Sequence, residues 1–154
     1  MQNHRWTYED YVKANPDKKF SRFDYLHAIS TQLDFQHELY LTFAELFHPK
    51  FLVIDNEIFV EELFSQEEYD KYREQGRTTA SIQPWMNLIE ITALFNFIEP
   101  DAARKIADLI CESWNCKIKT EFGFDAASAQ IKIEDDFDEI YVTIGKFKND
   151  LTYE

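Results

Sequence analysis

Residues 134–139 read Glu-Asp-Asp-Phe-Asp-Glu, five carboxylates and one phenyl ring set between IKI and IYVTI. Carboxylates this dense can ligate a hard cation, attract a basic partner or solvate a turn. A calcium loop needs oxygen ligands at alternating positions, glycine at the sixth and glutamate at the twelfth. Counted from Asp136, those places hold Tyr141 and Phe147; counted from Glu134, they hold Glu139 and Gly145. The spacing fails from either start and leaves only a loose cation site from Asp135, Asp136 and Asp138. A hairpin bend accounts for the acids more simply, because aspartate bonds its own backbone in turns. Phe137 is the odd member: an aromatic ringed by charge resembles an interface anchor inside a polar rim, although a ring folded over the sheet edge would also fit.

A second acidic stretch, VEELFSQEEYDKY at 60–72, places Glu61, Glu62, Glu67, Glu68 and Asp70 around Leu63, Phe64, Tyr69 and Tyr72. Ser65 followed by Glu68 is a helix-start signature, so a capped, solvated helix explains much of it. The functional reading is a second acidic-aromatic patch, with Tyr69 as its anchor.

The case for enzymatic chemistry rests on histidines. His27, His37 and His48 fall in one helical region, and Glu45 precedes His48 by three residues, a spacing that puts both on one helix face. Di-iron bundles use two such motifs plus two further glutamates on facing helices, and here there is one, at a helix end. His37 and His48 are eleven residues apart, about 16 Å along a helix axis, too far for one ion. A nucleophile has no visible frame, since G-x-S-x-G is missing and three glycines cannot build a phosphate-cradling loop. Twenty-nine carboxylates permit many acid pairs, which reflects abundance only. Cys111 and Cys116 are separated by four residues, neither a redox pair nor half of a zinc ribbon. They read as two buried free thiols in a reducing cytoplasm. No catalytic residue, metal or cofactor is assigned.

Charge narrows the partners. The net charge of −13 repels nucleic-acid phosphates and anionic lipid surfaces, and it speeds encounter with a basic protein. An acidic coat that merely keeps the protein soluble is the competing explanation. The distribution is stepped: residues 1–50 carry seven acids and six bases, 51–100 ten and three, and 101–154 twelve and seven. The amino-terminal stretch has no apolar run of signal-peptide type, and no segment reaches the roughly 18–20 apolar residues of a membrane span.

The elements that must position these groups follow from hydrophobic period and turn chemistry. A chain of 154 residues suits one domain over 1–154. Phe23, Leu26, Ile29 and Leu33, then Leu39, Phe43, Leu46 and Phe47, predict helix over 21–48, in one piece or broken near 31–34. FLVI and EIFV around Asp55-Asn56 predict a hairpin at 51–60, and Ser65 opens a helix that Gly76 ends. Pro84 is expected to begin a buried helix through WMNLIEITALFNF, and Pro100 another, with Ala103, Ile106, Ala107, Ile110 and Cys111 inward. From Cys116 the period drops to two, predicting strands at 116–122, 130–134 and 140–144 in an antiparallel meander. The expected fold is α+β, with several helices on one face of a small antiparallel sheet.

The expected function is that of a non-enzymatic, acidic protein-binding module of the immunity or antitoxin kind, neutralising a basic partner. Glu61, Glu62, Glu67, Glu68 and the 134–139 acids would steer, and Phe137 or Tyr69 would anchor. The alternatives are a small metal-dependent enzyme or hydrolase using Glu45 and His48, and a homodimeric subunit with its aromatic surplus buried between copies.

Overall fold

A computed structural model describes residues 6–96, 98–134, 136 and 138–147. The chain divides into two compact units, one running to Leu41 and one from Thr42 onward. Within the described residues the architecture is α+β, with helices and two small antiparallel sheets.

The first unit is held by tyrosines. α1 (Tyr8–Lys13) and α2 (Arg22–Leu33) each start with a capping box, Thr7 with Asp10 and Ser21 with Asp24. The Tyr25 ring meets those of Tyr8 and Tyr11, with centroids 5.9 and 5.7 Å away. Its hydroxyl donates to the Trp6 carbonyl at 2.6 Å, and the Tyr8 hydroxyl donates to the Phe20 carbonyl at 2.7 Å. Asp34, at φ 41°, breaks the helical run before α3 (His37–Phe47) begins. The 21–48 region is therefore two helices. The expected burial fails here: Phe23 is 81% exposed, and Leu26 and Leu33 are each 55% exposed.

In the second unit, β1 (Phe51–Ile54) and β2 (Glu57–Val60) pair around Asp55 and Asn56, both at positive φ, the geometry of a type I′ turn. The pairing turns the backbone groups of Ile58 and Val60 away from β1. Asn87 takes the place of a neighbouring strand there. Its Oδ1 accepts from the Val60 N–H at 2.8 Å and its Nδ2 donates to the Ile58 carbonyl at 2.9 Å. Gln83 adds a second donor to that carbonyl at 3.1 Å. Asp55 also accepts from the Thr79 and Tyr69 hydroxyls at 2.8 and 3.2 Å, which ties the turn to the helices that follow.

A one-turn 3-10 segment (Glu61–Leu63) leads to α4 (Gln66–Glu74), where the Ser65 hydroxyl accepts from the Glu68 N–H and Gly76 follows at φ 81°. α5 (Thr79–Met86) starts at an N-cap threonine, Thr78, so Pro84 lies inside this helix rather than at the start of one. The expected long helix after Pro84 is replaced by β3 (Ile89–Glu90) and a single turn, α6 (Ile91–Leu94). Burial all around a segment gives a helix and a strand the same apolar pattern, so period could not separate them. The engagement of Asn87 by β2 fixes where the helix ends.

α7 (Pro100–Phe122) corrects a second expectation, because residues 116–122 continue this helix and form no strand. Ala103, Ala107, Ile110, Trp114 and Ile118 make one buried stripe at spacings of three and four, and no glycine or proline interrupts it before Gly123. Each large side chain on it contributes on the order of 1.5–3 kcal/mol by burial. Helical hydrogen bonding already in progress outweighs four residues of alternation. The Trp114 indole donates to the Leu46 carbonyl at 2.8 Å and the Ser113 hydroxyl to that of Phe47, so α7 satisfies the open carbonyls at the end of α3.

The sheet is β3–β5–β4, with β4 (Ala129–Glu134) and β5 (Glu139–Ile144) as its hairpin; its third strand is β3 rather than 116–122. Ile140, Val142 and Ile144 pair with Ile133, Ile131 and Ala129, and this side packs on the α7 stripe except at Ile133, which is exposed. Asn115 ties the helix to the start of β4 through both the N–H and the carbonyl of Ala129, at 2.7 and 3.0 Å.

Candidate partner-binding face

Period two gives the sheet its second face. Thr143, Tyr141 and Glu139 of β5 pair with Gln130, Lys132 and Glu134 of β4, and Glu90 of β3 pairs with Tyr141. At one end this face is closed, where the buried Thr143 hydroxyl donates to the Pro84 carbonyl. At the other end it is acidic. Glu90, Glu134 and Glu139 all lie half-buried around Tyr141, and the exposed Asp136 and Asp138 stand in the adjoining turn. Glu134 and Glu139 are directly opposite in register, an arrangement of like charges that costs stability.

Two local contacts moderate that cost. The Lys132 ammonium pairs with Glu134, and the Tyr141 hydroxyl donates to Glu139 at 2.6 Å. That hydrogen bond, with burial and the charges of Glu90, Glu139 and Glu134, pushes the tyrosine's pKa up to about 12. The lysine also lies over two rings, 5.7 Å from the centroid of Tyr141 and 5.3 Å from that of Phe147. Phe147 packs edge-on against Trp85 at 4.9 Å, and Trp85 is 48% exposed. The face thus already holds one cation between carboxylates and rings, which are the groups that bind lysine and arginine side chains.

The residues expected from sequence separate on this frame. Glu134, Asp136, Asp138 and Glu139 belong to the acidic end, with Asp138 in the turn at φ 53°. Asp135 and Phe137 lie outside the described residues. Glu61, Glu62, Glu67 and Glu68 are exposed on the 3-10 segment and on α4, and Lys71 pairs with Glu67 at 2.7 Å. Among the described residues, no hydrogen bond or ion pair joins this cluster to the sheet face. Tyr69 is corrected outright. It is 6% exposed, its ring packs with Phe59 and Phe64, and its hydroxyl meets Thr79 at 2.7 Å, so no partner can reach it. Phe59, Ile82 and Met86 complete the cluster that draws it inward.

Glu45 and His48 are both exposed at the end of α3. His48 lines an open groove of about 330 Å³ with Ser113, Cys116, Lys117, Thr120 and Glu121, and Glu45 is not part of its wall. Among the described residues no three His, Cys, Asp or Glu side chains converge in a way that could hold a metal ion. Nor is any helix there long and apolar enough to cross a membrane.

The aromatics of this face, Tyr141, Phe147 and Trp85, are not among the residues singled out by sequence. The alternation Ile140–Ile144 does put Tyr141 on the polar side, and that signal was sufficient to find it. Phe147 and Trp85 had no such pattern. No protein-family model, curated protein or solved structure matches this chain.

Proposed function

We propose that the chain is a non-enzymatic binding protein that engages a basic protein surface through the outer face of the β3–β5–β4 sheet. The observation that carries this reading is the opposition of Glu134 and Glu139 in register, with Glu90 beside them and one lysine among them. Within the fold each of the three carboxylates has one donor, Thr92 for Glu90, Lys132 for Glu134 and Tyr141 for Glu139, and an arriving lysine or arginine gains a further charge-assisted bond and a ring to lie on. Phe147 and Trp85 supply the apolar contact that a purely acidic surface lacks. The stepped charge of the sequence supports the same assignment, since acids concentrate after residue 50. Masking of a basic partner is the task of an immunity or antitoxin protein, and we assign the chain to that functional class. Its two free cysteines fit a reducing cytoplasm.

The test is capture of partners from the source cell by the wild-type chain and by the Glu134→Lys/Glu139→Lys double variant. A basic protein that associates at least tenfold more slowly with the variant, and more slowly in high salt, supports the reading. A partner bound equally fast by both would place the interface elsewhere.

A further inference from the structure

The acidic face leaves unexplained the apolar surface of the first unit. On α2, Phe23, Leu26 and Leu33 are exposed, and at about 100° per residue they fall within roughly 80° of one another with Ser30 between them. Tyr25, whose ring meets Tyr8 and Tyr11 of α1 and whose hydroxyl donates to the Trp6 carbonyl ahead of it, points to a different side. The stripe is therefore not the one that holds α1 and α2 together. Its 3-4-3 spacing is that of a seam meeting another helix.

We propose that this stripe pairs with α2 of a second copy of the chain, making a two-fold dimer. Two features of the stripe select that occupant. First, its order is self-complementary: in an antiparallel pairing centred on Ala28, Phe23 faces Leu33 of the second copy, and Leu26 faces the small Ser30. A two-fold interface requires just this matching of one patch with itself. Second, charge permits the approach. Residues up to Leu41 carry six acids and five bases, while the remainder of the chain accounts for −12 of the net −13. A basic partner has nothing to attract it to the near-neutral unit. A like copy meets little repulsion there. The seam spans a twelve-residue helix, about 18 Å, so the interface is small and the dimer exchanges with monomer.

Sedimentation velocity of the intact chain over two decades of concentration, at low and at high salt, is the test. The wild type is expected to shift from monomer to dimer, and more readily in high salt, because salt screens the repulsion between two acidic chains. Binding to a basic partner responds to salt in the opposite sense, which keeps the two interfaces distinguishable. Leu26→Asp and Phe23→Asp should each abolish the shift with the far-ultraviolet circular dichroism unchanged, since both positions are exposed. A wild type that stays monomeric under all these conditions, or a dimer that survives both substitutions, overturns the proposal.

Discussion

Replacing Asn87 with alanine isolates the contact that fixes the outer edge of the β1–β2 hairpin. Asn87 is fully buried and serves two backbone groups at once, the Val60 N–H and the Ile58 carbonyl. The loss is asymmetric, because the Ile58 carbonyl keeps its bond from Gln83 while the Val60 N–H loses the acceptor Asn87 supplied. An orphaned buried donor costs about 1–3 kcal/mol, and the lost side-chain volume adds a smaller cavity cost. The expected destabilisation is about 2–4 kcal/mol, against total stabilities of roughly 5–15 kcal/mol for natural domains. For a chain of this length it corresponds to a fall in Tm of about 5–15 °C. Urea unfolding followed by tryptophan fluorescence reads it directly, since Trp114 sits in the core at 1% exposure. Asn115→Ala is the internal control, because Asn115 makes the same pair of bonds to Ala129 but is only half-buried. It should lose about 1–2 kcal/mol. A loss below about 1 kcal/mol for Asn87→Ala would refute the claim that this side chain substitutes for a strand.

Other positions give sharper chemical readouts. Cys116 is exposed rather than buried as expected, so a thiol reagent should modify it well before Cys111, whose thiol is pushed up by burial and by the neighbouring Asp108; equal rates would contradict that placement. In an ultraviolet titration Tyr141 should ionise last, near its raised value of about 12, and Glu139→Gln should bring it back toward about 10. Because that value is raised in the fold, its contribution to stability is complete below about pH 10 and fades as the pH climbs toward 12. The Asp24 carboxyl is held low by the Ser21 N–H and hydroxyl, so the start of α2 should keep this support above the ordinary aspartate range and lose it as the pH falls through the lowered value. Amide exchange at Asp24 and Tyr25 would follow the loss. Gly145→Ala should destabilise by about 1–3 kcal/mol in the same urea assay. Residue 145 sits at φ 93°, where a Cβ would stand 2.2 Å from Gln83 Oε1.

Local signals carried much of the fold into the sequence. The Asp55-Asn56 turn, the Ser65 cap, the Gly76 stop and Pro100 are each decided by residues within a few positions, and each is found in place. The alternation of β4 and β5 likewise needs only the core beneath it. What the sequence hid depends on partners far along the chain. Alternation over 116–122 resembles a strand until the stripe running from Ala103 to Ile118 is seen to continue through it. Asn87 reads as a polar interruption of a helix until β2, 27 residues earlier, is placed against it. The candidate face divides the same way. Glu134 and Glu139 were legible as hairpin acids, whereas Tyr69 was misplaced because a tyrosine on a polar helix gives no sign that Asp55 and Thr79 await its hydroxyl.

The central question is whether the sheet face, rather than negative charge in general, receives a basic partner. An amide-resolved NMR titration with a short lysine-rich peptide tests that most directly. The predicted result is that the largest shifts fall on Glu90, Lys132, Glu134, Glu139 and Tyr141, with smaller ones on Glu61, Glu62, Glu67 and Glu68, and that they vanish in the Glu134→Lys/Glu139→Lys variant. Shifts spread evenly over the acidic residues, or strongest on α4, would contradict it.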